Sequence, residues 1–202
     1  MGLGPVGFDL DMTLIDSRPA IMAAFAAVAR DTGTHIGPRE VDRRLGIKLE
    51  DELAFWFAPE GVPAAADCYR RHYVRLAEQE TLALPGAREA LEAVRAAGER
   101  TAIITAKHPV SVGPSLRAAG LSADELFTYV HGAEKAAVLN SLNAFAYVGD
   151  TPADVEAGVS AGVRAIGVTT GSFGAASLRE AGAEVVLDSL ENFPDWYHGL
   201  RA

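Results

Sequence analysis

An α/β fold is predicted for this 202-residue chain: a three-layer, Rossmann-like parallel sheet core with a small all-helical domain inserted after its first strand. Three observations carry that reading. From residue 84 onward, short apolar runs alternate with helix-length segments of about ten residues, the grammar of βαβ units. Residues 17–80 show helical spacing and no strand signal. The apolar run Val6 to Phe8 ends in two aspartates one residue apart, Asp9 and Asp11, as a buried strand does at a ligand-facing edge.

Each element follows in order. After the first strand, Ser17 and Pro19 suit a helix start, and Ile21, Phe25 and Val28 recur at helical spacing up to Gly33. Residues 39–45 and 49–58 read as two short helices separated by Gly46, and Pro63 opens a longer one to about Gln79. Leu84-Pro85-Gly86 then marks the change of grammar. Helix 87–97, strand 101–105, helix 111–119, strand 126–130, helix 133–141 and strand 145–148 follow. Helix 153–161, strand 165–168, helix 175–181 and strand 184–187 complete the series. Residues 1–15 and 84–202 are therefore expected to form the core, and residues 16–83 a helical cap over the sheet's carboxyl edge.

Composition narrows the chemistry. Apolar residues make up 49% and charged residues 22%, ordinary for a soluble globular protein. A net charge of −9 argues against nonspecific binding to nucleic acid, and no apolar run is long enough to span a bilayer. The single Cys68 excludes an intramolecular disulfide and suits a reducing compartment, so a cytoplasmic location is the default. The oligomeric state is open between monomer and homodimer.

Four groups of polar residues sit at expected strand ends or helix starts: Asp9 and Asp11; Thr105 with Ala106; Lys135; and Gly149-Asp150-Thr151-Pro152-Ala153-Asp154. In a doubly wound sheet these stations converge on one edge. Neighbouring carboxylates repel and call for a shared proton or a hard cation such as Mg²⁺, which prefers oxygen ligands. A carboxylate can attack phosphorus, and a second can protonate the leaving oxygen and later deprotonate a water. A hydroxyl such as Thr105 and nearby backbone N–H groups can hold phosphate oxygens, and a lysine can neutralise the transferring group. Asp154 also fits a capping box with Thr151, and Lys107 is an alternative cation to Lys135.

Phe8-Asp9-Leu10-Asp11-Met12-Thr13-Leu14 and Gly149-Asp150-Thr151-Pro152-Ala153-Asp154 resemble the first and fourth motifs of the haloacid dehalogenase-like hydrolase superfamily. The likeness extends to its phosphoglycolate phosphatase-like members with an inserted helical cap. It implies a phosphatase acting on a small phosphorylated metabolite. Asp9 would be the nucleophile, Asp11 the general acid/base, and Thr105, Ala106 and Lys135 the phosphate ligands. Mg²⁺ would be held by Asp9, Asp11 through its backbone carbonyl, and Asp150, with Asp154 in or beside the set. Lys48, in the loop between cap helices, would reach toward substrate. Met12 departs from the pattern by standing where glycine is usual, and Lys135 lies only 15 positions before Asp150. A phosphomutase shares the same core, and a catalytically idle binding relative is the third reading. A receiver-like phospho-acceptor fits less well, because the inserted helices and Asp11 have no use there.

Overall fold

The computed structural model describes residues 2–200. Its main sheet has the strand order β5-β4-β1-β6-β7-β8, every neighbouring pair parallel. These strands are β1 (Val6–Phe8), β4 (Thr101–Thr105), β5 (Glu125–Thr128), β6 (Ala146–Gly149), β7 (Arg164–Val168) and β8 (Val185–Leu187). β1 lies at the centre, so each of its residues is buried by neighbours on both edges and both faces.

Alternation along the strands builds the two faces. Val6, Phe8, Ile103, Val148 and Ile166 pack on one side with Leu91 and Val94 of helix α5 (Ala87–Ala96). Phe193 and Tyr197 of α10 (Phe193–Gly199) close that layer. Ala102, Ile104 and Tyr147 face the other side, against Leu139 and Leu142 of α7 (Ala133–Leu142). Helices α6 (Pro109–Ala119), α8 (Pro152–Ala161) and α9 (Ala175–Glu180) complete the outer layers. Three layers on a parallel sheet are the arrangement expected from sequence.

The inserted helices are α1 (Arg18–Thr32), α2 (Pro38–Arg43), α3 (Leu49–Leu53) and α4 (Val62–Glu80). They bury an apolar cluster of their own, with Phe25, Val28, Val41, Leu53, Tyr69 and Tyr73 among its members. α2 and α3 are shorter than their sequence spans suggest. Gly46 adopts φ 102°, and residues 54–61 form turns in which Phe55 is exposed instead of packed. One feature has no signal in the sequence: a two-stranded antiparallel ribbon of β2 (Ile15–Asp16) and β3 (Leu82–Ala83). Ile15 faces Ala83, and Leu84 N–H donates to the Leu14 carbonyl at 3.0 Å. The ribbon ties together the points where the helical segment leaves and rejoins the core. No helix among the described residues is long and apolar enough to cross a membrane.

Candidate active site

β1 delivers Asp9 to the carboxyl edge of the sheet, where its N–H donates to the Val148 carbonyl at 2.8 Å and the residue is buried. The chain then folds back at once. Leu14 N–H donates to the Leu10 carbonyl at 2.9 Å, and Met12 N–H to the Ile15 carbonyl at 2.8 Å. Met12 sits at φ 62°, the left-handed region where a side chain crowds its own carbonyl. That conformation is the physical reason for glycine at this place in the resembled motif. Here a buried methionine takes it, its carbonyl capped by the Thr170 hydroxyl. The turn lines one cavity of about 560 Å³ with both Asp9 and Asp11.

Lys135 enters the same cavity from the first turn of α7 and is buried. Its Nζ donates to Asp9 Oδ1 at 2.7 Å, Asp154 Oδ1 at 2.6 Å and the Tyr147 hydroxyl at 2.9 Å. Burial penalises this ammonium, yet the Asp154 and Asp9 carboxylates outweigh it and hold its pKa well above the usual lysine value. The short spacing to Asp150 therefore does not displace Lys135. Burial raises the Asp9 pKa to about 7; Lys135 opposes that rise and Asp154 adds to it.

Asp150 and Asp154 come from the turn after β6 and the first turn of α8. The Thr13 hydroxyl donates to Asp150 Oδ1 at 3.0 Å, fastening the first loop to the fourth. Two close approaches depend on glycine. A Cβ on Gly171 would lie 1.8 Å from Asp150 Oδ2, and one on Gly149 2.3 Å from Asp154 Cβ. Asp154 and Thr151 form the expected capping box: Thr151 Oγ1 accepts from Asp154 N–H, and Asp154 Oδ2 accepts from Thr151 N–H.

One carboxylate oxygen each from Asp9, Asp150 and Asp154 lies within 4.8 Å of the others, and all three residues are buried. Burial, with Asp154 and Asp9 nearby, pushes the Asp150 pKa well up. Such crowding of buried carboxylates fits a hard divalent cation with oxygen ligands. The three are not equivalent, however. Both Asp154 oxygens are already engaged, one by Lys135 and the other by Thr151, whereas Asp150 Oδ2 accepts no hydrogen bond from another described residue.

Asp11 has a different environment. Lys107 Nζ donates to its Oδ1 at 2.7 Å, and the Ser17 hydroxyl donates to the same oxygen. Ser17, expected to start α1 by capping, makes no side-chain cap and is turned onto Asp11 instead. Lys107 also lies 4.2 Å from the centre of the Tyr73 ring, whose hydroxyl is hydrogen-bonded to Ser115 at 3.0 Å. Burial weighs against the Lys107 ammonium, but Asp11 and Tyr73 more than compensate and raise its pKa. The two candidate cations thus both belong to the site, one on each aspartate.

Thr105 and Ala106 line the Asp9 cavity at the end of β4, and Thr105 Oγ1 accepts from Lys107 N–H at 3.1 Å. Lys48 lines the same cavity, but its Nζ stands 5.0 Å from the centre of the Tyr129 ring instead of near the aspartates. Arg44 is half-buried and forms a two-pronged pair with Glu52 at 2.7 and 2.8 Å. Tyr147 is the polar residue that sequence reasoning passed over. A fully buried tyrosine hydroxyl needs partners, and that alone marks it as more than packing.

Comparisons with known proteins place the chain in a family. The family model described as haloacid dehalogenase-like hydrolase matches residues 6–168. The probable phosphatase IndB of Dickeya dadantii is 31% identical, over 96% of this chain and 93% of that protein. Hexitol phosphatase A of Escherichia coli is 31% identical over 91% and 90%. Among solved structures, a haloacid dehalogenase-like family protein from Streptococcus pneumoniae superposes with a TM-score of 0.83 at 19% identity, over 96% of this chain and 98% of that one, a likeness of fold. With the matched region running from the first strand to the fifth of the parallel sheet and enclosing every aspartate and lysine described above, the chain belongs to the haloacid dehalogenase-like hydrolase family.

Proposed function

We propose that this protein is a Mg²⁺-dependent phosphatase that hydrolyses a small phosphate monoester through an aspartyl-phosphate at Asp9. One observation supports this most: Asp9 is held by Lys135 at 2.7 Å beside Asp150 and Asp154, while Asp11 stands apart with partners of its own. Two carboxylates two residues apart are thereby given separate environments, as nucleophile and acid/base require. The phosphatases among the relatives favour the same class of reaction.

In the first half-reaction an Asp9 carboxylate oxygen forms a bond to phosphorus. The bond from phosphorus to the ester oxygen breaks, and Asp11 gives that oxygen a proton, releasing an alcohol. In the second, a water loses a proton to Asp11 and attacks phosphorus, restoring the Asp9 carboxylate and releasing phosphate. Thr105 and the Ala106 N–H hold phosphate oxygens, and Lys135 offsets charge on Asp9 and the transferring group. Asp9, Asp150 and the Asp11 carbonyl would hold Mg²⁺, which when bound supplies charge neutralisation at the phosphoryl oxygens. Asp154 acts through Lys135, which it positions.

Residues 1–15 and 84–202 serve as the catalytic core and 16–83 as a cap that covers the site, with Lys48 at the rim where substrate passes. The lone thiol of Cys68 suits work in the cytoplasm. Rapid quenching during turnover, followed by peptide mass analysis, tests the intermediate. The phosphoryl group is expected on the peptide containing Asp9. A phosphoryl group on another residue, or turnover with none trapped at any quench time, contradicts the covalent route.

A further inference from the structure

Beside the aspartate cavity lies a second one of about 110 Å³, between the inserted helices and the core. Asp11 and Ile21 line both, so the second cavity begins where a leaving oxygen would meet its proton donor. A water needs roughly 10–15 Å³, so there is room for a body of several non-hydrogen atoms. Its wall is apolar and aromatic: Phe25, Val41, Leu49, Tyr69 and Tyr73 contribute to it.

The charged residues on that wall are already matched. Arg44 is closed onto Glu52 by two hydrogen bonds, Arg70 pairs with Glu50 and Asp67, and Lys107 pairs with Asp11. His108 is pulled toward its neutral form, burial being the main cause. A second anionic group on the substrate would enter a mostly apolar space in which each cation already has a carboxylate partner, only the buried Arg70 Nε being left without one, and burying an unpaired charge is strongly unfavourable.

We infer that this cavity receives the alcohol part of the substrate, and that the substrate is the phosphate ester of an uncharged, ring-bearing or branched apolar alcohol. The inference rests on the phosphatase reading for which end of the ligand faces Asp9. It points away from carboxylate-bearing esters such as phosphoglycolate and from open-chain polyol phosphates, most of whose hydroxyl groups would face the apolar side chains of the wall.

Binding and turnover separate the two claims. With Mg²⁺ present, calorimetry compares 4-methylbenzylphosphonate, its 4-carboxy counterpart and 3,4-dihydroxybutylphosphonate, which cannot be hydrolysed. The methyl compound is expected to bind at least about tenfold more tightly than either of the others. Leu49→Asp places a carboxylate on the cavity wall at the first position of α3, where an acidic residue suits the helix start. That variant should lose the preference over the dihydroxy compound, repel the carboxy compound further, and keep its affinity for inorganic phosphate. Equal or tighter binding of the carboxy or dihydroxy compound overturns the assignment, as does an unchanged preference over the dihydroxy compound in Leu49→Asp. Phosphate release from 4-methylphenyl phosphate reads the reaction separately: no release with the binding preference intact contradicts the phosphatase reading alone.

Discussion

At Asp9, burial and the neighbouring Asp154 favour the protonated acid, while Lys135 favours the carboxylate a nucleophile needs. Asp11 lacks the crowded carboxylates and instead meets Lys107 and Ser17. If it is the acid/base, Asp11→Asn should lower both phosphorylation and hydrolysis by roughly 10²–10⁴-fold in a single-turnover assay, and a near-normal rate in either step removes the role. Met12 poses a contest of magnitudes. Its left-handed backbone costs about 1–2 kcal/mol, which glycine would relieve. Glycine would also forfeit about 1.5–3 kcal/mol of buried side chain. It would add a further 0.5–1 kcal/mol or so of chain entropy. Burial wins: Met12→Gly should lower the midpoint of thermal unfolding by a few degrees, and a rise would show that strain dominates.

At the level of elements, α8 shows one motif serving structure and site together. The Thr151–Asp154 capping box starts the helix, and the same Asp154 carries Lys135 with its other oxygen. Thr151→Ala should cost about 1 kcal/mol of stability for the lost cap. Activity should fall further than that cost explains, because Asp154 loses the hydroxyl that fixes it; unaltered kcat would separate the cap from the site. The strands and helices of the sheet core were legible because their apolar runs are bounded by glycine and proline, as at Leu84-Pro85-Gly86 and Gly120. The β2–β3 ribbon was not, since two-residue strands are too short to show alternation. Ser17 stands at the start of α1 as its residue type suggests, but its hydroxyl donates to Asp11 and not to the helix, a choice that local pattern cannot make. Lys135 was expected ahead of Lys107 as the cation of the site; in the folded chain Lys135 is hydrogen-bonded to Asp9 and Lys107 to Asp11.

Across the whole molecule, the parallel sheet gathers Asp9, Thr105 and Asp150 at one edge because β1, β4 and β6 are neighbours. The ribbon returns the inserted helices to the same edge, so that Ile21 and Lys48 line the cavity holding the aspartates. Lys107, the Tyr73 ring and Ser115 then join the inserted helices to the core directly above Asp11. On the proposed function, this assembly releases phosphate with Asp9 as nucleophile and Mg²⁺ as cofactor. The most direct measurement is phosphate release from a panel of small phosphate monoesters, in Mg²⁺ and in EDTA, for the native protein and Asp9→Asn. Release is expected in Mg²⁺ only, and lost in a variant that keeps its fold by circular dichroism. Release that persists in EDTA, or in folded Asp9→Asn, would contradict it.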